Sequence, residues 1–160
     1  MNAKERVKDL NCLLMVLEEI EKMGLFYEWY FSNQTNDPEL KTKITSAAFD
    51  TGLLAARKLD DFFNGHSGKS TDIKADRFGP FPGMSRPLGD SNRTRLHQSL
   101  AHLTLPGEEM RCDNVNIDKI TLPVWKRSED FCKFILSSYL KPDAPADKAV
   151  EPDVRRVLYQ

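Results

Sequence analysis

The spacing of apolar side chains along the chain predicts a series of amphipathic helices. The first apolar stripe consists of Val7, Leu10, Leu14 and Leu17. Their intervals of three and four residues, with charged residues between them, are typical of a helix that buries one face. We expect this helix to stop or kink at Gly24, and an aromatic cluster at residues 26–31 to continue it. These rings can stack nucleobases, but core or interface packing is the favoured interpretation.

A second helix is predicted over residues 37–64. Asp37 is a good N-cap and Pro38 suits the first helical position. Its apolar stripe includes small residues, among them Ala48, Gly52 and Ala55. Because small side chains let backbones come close, we expect another helix to approach along this stripe.

The remaining segments predict two further helices and two irregular regions. Residues 66–89 are rich in glycine and proline, and we expect this long loop to be only partly ordered. Helices are predicted at residues 91–103 and 123–140, joined by a looser connection, and no segment alternates like a strand. We therefore predict an all-α, up-and-down bundle of four or five helices in one domain, residues 1–140. Residues 141–160, rich in proline and charge, are predicted to be an extended or disordered tail.

Composition narrows the class of protein without naming a function. The 160 residues are 40% apolar, which suits one domain with a core. A net charge of −1 gives no bulk signal for nucleic-acid binding. Three scattered cysteines without a CxxC pair favour a reducing, cytoplasmic setting, and neither a secretory signal nor a membrane-spanning run is visible. There is no P-loop or GxGxxG, and the three histidines lack metal-ligand spacing, so no cofactor or metal is predicted.

The third predicted helix carries the residues best suited to chemistry. Arg95 and His102 are seven residues apart, about 700° around a helix, so they share one face two turns apart with Ser99 between them. A guanidinium stabilises charge developing on a phosphate, and an imidazole transfers protons near neutral pH. Ribose supplies its own 2′-hydroxyl nucleophile, so Arg95 and His102, called the motif pair below, suit RNA cleavage without a metal. On the spacing alone, ordinary surface or hydrogen-bonded structural residues are the favoured interpretation.

Four other polar residues are possible supporting groups. His97 lies about 140° around the helix from His102, so it points away from the motif pair. Asp60 and Asp61, near the end of the second helix, can orient the pair, although solvated charges at a helix end are the favoured interpretation. Arg93 is expected either to make a second phosphate contact or to face water.

The motif helix resembles a known family. Residues 95–104, RLHQSLAHLT, are similar to the R-x4-6-H motif of HEPN domains. They most resemble the branch associated with abortive infection, whose motif helix commonly ends in AHLT. The preceding helix, ending in ARKLDDFF at residues 56–63, is also similar to that branch. The resemblance extends over about residues 5–140, and its specific part is the motif helix.

This resemblance implies a four- or five-helix bundle that forms a homodimer with a composite cleft. It also implies metal-independent endoribonuclease activity in phage defence or a toxin–antitoxin system, with an antitoxin partner. Carried over residue by residue, Arg95 and His102 become the catalytic pair. The chain departs from the family pattern at Leu96, near which the family usually has a polar residue such as Asn. Since many family members are non-catalytic, a dimeric module that binds RNA, a nucleotide or a protein is the alternative.

Overall fold

The computed structural model describes residues 2–32, 37–64, 72–81, 87–102 and 117–159. The described residues contain no strand and five α-helices, which confirms the predicted all-α class. In chain order the helices are α1 (Ala3–Ser32), α2 (Pro38–Asn64), α3 (Asp90–His102), α4 (Ile117–Phe134) and α5 (Pro145–Leu158). Within these ranges every helix is too polar or too short to cross a bilayer.

Helix α1 continues through Gly24 without a break, and its buried face differs from the predicted stripe. Leu10 and Leu17 are buried as expected, but Val7 is 50% and Leu14 38% exposed. The core face of α1 is formed instead by Leu10, Leu13, Leu17, Ile20, Met23 and Phe26. Phe26 therefore belongs to the core, in agreement with the favoured interpretation of the aromatic cluster.

The α1–α2 pair is the most extensive helix contact in the described fold. Asp37 Oδ1 accepts a hydrogen bond of 2.9 Å from the Glu39 backbone N–H, which confirms the predicted N-cap. Gly52 lies directly against the Phe26 side chain, so close that a Cβ at this position would overlap it. The expectation that small residues in α2 admit a neighbouring helix is confirmed at Gly52.

The described parts of the glycine- and proline-rich segment before α3 contribute four buried residues to the core: Ala75, Phe78, Phe81 and Leu88. Residues 72–81 contain the short 3₁₀ helix Ala75–Phe78, and Gly79 ends it with a φ of 106°, a left-handed conformation that favours glycine. The Phe78 and Phe81 rings lie 5.6 and 5.7 Å from the Phe131 ring of α4. These edge-to-face contacts anchor the segment to the bundle.

Helix α4 begins earlier than predicted. It starts at Ile117 instead of Pro123, so Pro123 lies inside the helix, where it has no N–H to donate to the Lys119 carbonyl. The Asn92 side-chain amide donates to that carbonyl instead. At its other end α4 continues into the π-helical segment Ile135–Tyr139, in which the Leu140 N–H donates to the Ile135 carbonyl.

The predicted extended or disordered tail is wrong, because residues 145–158 form helix α5. Its apolar face consists of Val150, Val154 and Val157, at helical spacing and buried in the common core. Near its N-terminus the buried Asp147 forms an ion pair with Arg6 of α1. The domain boundary predicted at residue 140 is therefore wrong as well, since α5 shares one core with α1.

Candidate functional site

Helix α3 is held in the bundle by its central apolar residue. Leu96 is completely buried, and the helix packs against both α2 and α4. Asp90 in the first turn is favourable at the positive end of the helix dipole. The Arg93 N–H donates to the Gly89 carbonyl at 3.0 Å, so the regular hydrogen-bonding pattern begins at the first turn.

The flank of α3 that faces α4 is marked by Asn92, whose side-chain amide donates to the Lys119 carbonyl at 3.2 Å. Arg95 is exposed, about 100° around the helix from the buried Leu96. His102 is the last residue of α3, and the helical backbone puts it on the same face as Arg95, about two turns further on. The side chains of Ser99 and His102 lie outside the described part of the chain.

The opposite flank of α3 faces α2 through Arg93. Arg93 Nε lies 3.3 Å from Asp60 Oδ2, and Arg93 Nη2 lies 2.6 Å from Asp61 Oδ1. The prediction that Arg93 contacts phosphate or faces water is not what the structure shows, since its guanidinium bridges two carboxylates of the neighbouring helix. Arg93 therefore joins α3 to α2.

Asp60 is not the solvated helix-end charge that the sequence favoured. Its side chain is only 1% exposed, whereas that of Asp61 is 32% exposed. Burial raises the pKa of Asp60, and the Arg93 charge opposes this shift. The described cation of both carboxylates is Arg93. That they orient Arg95 or His102 stays a prediction, because the side chain of His102 lies outside the described part of the chain.

His97 also belongs to the flank that faces α2. Its pKa is lowered by partial burial first and then by the positive charges of Arg57 and Arg93, while Asp61 acts in the opposite direction. A lowered pKa keeps the imidazole neutral near pH 7. His97 thus contributes to the α2–α3 contact, and the expectation that it points away from Arg95 agrees with this placement.

The ion pairs of Arg93 with Asp60 and Asp61 were not predicted, because the spacing of residues within one helix does not show which helices pack together. One signal was present: Asp60 follows Ala56 by four residues and precedes Phe63 by three, so it lies on the core side of α2. A carboxylate at such a position needs a cation from a neighbouring helix. Across the described parts of the chain, His, Cys, Asp and Glu nowhere gather in a group of three that could hold a metal.

Comparisons with protein-family models, with curated proteins and with solved structures found no match to this chain.

Proposed function

We propose that this protein is a metal-independent endoribonuclease of the HEPN type, acting in the cytoplasm in phage defence or a toxin–antitoxin system. The observation that carries the proposal is the motif helix. Arg95 and His102 share one face of α3, Arg95 is exposed, and the opposite flank is occupied by contacts with α2. Arg95 therefore lies on the side of α3 away from the Arg93 ion pairs, which supports a contact between its guanidinium and a substrate phosphate.

The proposed reaction is attack of a ribose 2′-hydroxyl on the adjacent phosphorus. The 2′-oxygen forms a bond to phosphorus and loses its proton, while the bond to the 5′-oxygen breaks and that oxygen gains a proton. Arg95 stabilises the negative charge on the phosphate oxygens, and His102 transfers a proton. The products are a 2′,3′-cyclic phosphate and a 5′-hydroxyl, and no metal enters the balance.

The reaction needs one group to accept a proton and another to donate one, and each chain supplies only His102 on the face of α3 that carries Arg95. A homodimer that brings two α3 helices together supplies two imidazoles and two guanidiniums around one phosphate. The proposal therefore includes a composite cleft at a two-fold axis. An antitoxin that covers this cleft is the partner expected in a toxin–antitoxin setting.

The test is cleavage of total RNA and labelled tRNA in EDTA by the wild type and three variants. We expect His102→Ala and Arg95→Ala each to lower the cleavage rate by about 100-fold or more. His97→Gln is the matched control, because it removes a histidine from the same helix on the flank that faces α2. It should retain cleavage, and thermal unfolding should show that all variants fold.

Analysis of the product ends decides between this mechanism and its alternatives. Cyclic-phosphate ends that appear with the wild type and disappear with His102→Ala are the expected result. Undiminished cleavage by a folded His102→Ala protein would refute the mechanism. Binding of RNA by both proteins without any cleavage would favour the non-catalytic dimeric module.

A further inference from the structure

A second concave site lies on the side of the bundle formed by α1, α4 and α5. The groove between these helices encloses about 780 Å³, within the range of about 300–1,000 Å³ typical of small-molecule sites. Its apolar walls include Leu25, Leu122 and Leu158. Leu25 is 46% and Leu122 41% exposed, so hydrocarbon surface faces the groove without a described neighbour that fully covers it.

Two aromatic rings stand in this groove in a defined arrangement. Tyr27 and Trp125 make an edge-to-face contact with ring centroids 5.9 Å apart. The Tyr27 hydroxyl is 2.6 Å from the Thr121 hydroxyl, so its hydrogen bond fixes the ring from the far end. What these two side chains present to a ligand is therefore mainly their ring surfaces, which attract cations through the negative face of the π-system.

The charged residues lining the groove are of one sign. Glu28 and Glu129 line it, and no basic side chain does so among the described lining residues. Asp118 adds negative charge nearby, since it helps burial to raise the pKa of Tyr27. The described charges that line the groove are thus negative, although the whole chain is almost neutral.

These two glutamates differ from four other glutamates on α1 and α5, which form ion pairs. Glu18 and Glu19 pair with Lys22, Glu21 pairs with Arg156, and Glu151 pairs with Arg155. Within the described ranges neither Glu28 nor Glu129 forms an ion pair. Two carboxylates beside aromatic rings in a concave site are therefore left for a cation from outside.

We infer that the α1–α4–α5 groove binds a small amphiphilic amine, with its ammonium group between Glu28 and Glu129 and its apolar body against Trp125, Leu25 and Leu122. Carboxylates and aromatic faces together select positive charge, and the leucines select hydrocarbon. No residue of α3 is among the described residues lining this groove, so the inference does not depend on the proposed RNA chemistry.

Three probes with the same body test the inference: 4-phenylbutylamine, 4-phenylbutanol and 4-phenylbutyrate. Binding is measured by calorimetry, and the Trp125 indole N–H resonance, assigned with a Trp29→Phe variant, reports the location. We expect the amine to bind about tenfold more tightly than the alcohol and to shift the Trp125 signal. The carboxylate should bind most weakly.

The matched variants separate charge recognition from simple hydrophobic binding. Glu28→Gln/Glu129→Gln should bring the amine to within about twofold of the alcohol. Glu18→Gln/Glu151→Gln, an equal charge change outside the groove on α1 and α5, should leave the preference unchanged. Equal binding of amine and alcohol by the wild type would overturn the inference. So would a preference that survives in the double variant, or no amine binding at millimolar concentration.

Discussion

The close approach of α1 and α2 at Gly52 makes a sharp prediction about stability. A Cβ on residue 52 would lie 2.7 Å from Phe26 Cδ2 and 2.8 Å from Phe26 Cβ, well inside van der Waals contact. Phe26 is only 1% exposed, and its Cβ is tied to the α1 backbone, so the ring cannot simply swing aside. Gly52→Ala therefore forces the two helices apart or distorts the Phe26 rotamer.

Two opposing free energies decide the sign of this change. Overpacking a core typically costs about 1–3 kcal/mol, while replacing glycine by alanine inside a helix gains up to about 1 kcal/mol. We expect a net loss of about 1–2 kcal/mol in the free energy of unfolding, or a melting temperature lower by about 2–8 °C. Urea unfolding followed by far-ultraviolet circular dichroism measures it.

Three further variants make the Gly52 result interpretable: Thr51→Ala, Phe26→Leu and Phe26→Leu/Gly52→Ala. Thr51→Ala, at the exposed neighbouring position of α2, should change stability by no more than about 0.5 kcal/mol. In a Phe26→Leu background Gly52→Ala should cost less, with a coupling energy of about 1 kcal/mol between the two positions. If Gly52→Ala stabilises the protein as it would on an exposed helix, the close approach of α1 and α2 is refuted.

Three other predictions follow from the ionisable groups. Arg93→Leu leaves the buried Asp60 without its described cation, so the pKa of Asp60 rises further. The free energy of unfolding measured in urea should fall by up to about 3–5 kcal/mol at pH 8 and by less at pH 4. A loss that does not depend on pH would contradict this. The hydrogen bond from Arg6 lowers the pKa of Asp147. This pair therefore stabilises the fold above the ordinary pKa of the carboxyl, and that stabilisation is lost as pH falls through the lowered value. Asp147→Asn should lower the free energy of unfolding by about 1.5–3 kcal/mol at pH 7 and flatten the acid limb of the stability–pH curve. Burial raises the pKa of the Cys132 thiol to about 12, so a thiol reagent at pH 8 should modify it only after unfolding, with Cys132→Ser as the control, and rapid native labelling would contradict its burial.

The helices that could be predicted are those whose own sequence contains both a capping residue and an apolar stripe. Helix α2 has a good N-cap at Asp37 and one apolar stripe, and it was predicted almost to the residue. Helix α5 was missed because its prolines and charges resemble a disordered tail. Pro145 in fact stands in its first turn, where proline is favoured, and the exposed Pro152 is tolerated inside it. The valines at residues 150, 154 and 157 were the signal, but they acquire meaning only when α1 is there to cover them.

The candidate site also has features that follow from local sequence and features that depend on helix packing. The shared face of Arg95 and His102 follows from helical spacing alone and could be predicted. The pairing of Arg93 with Asp60 and Asp61 depends on how α2 and α3 pack, which no local pattern contains. The α1–α4–α5 groove is likewise a product of packing, because its lining residues come from three helices and range from Gly24 to Leu158.

The π-helical turn at Ile135–Tyr139 has a consequence for how this chain is compared with others. Such a turn contains one residue more than an α-helical turn covering the same length. Tyr139 leaves it with its ring 4.1 Å from the Arg6 guanidinium. A homologue with a regular α-helix here would have one residue fewer between Ile135 and Lys141. An alignment should therefore open a single-residue gap at this turn, so that the partner of Arg6 in α5 stays in register.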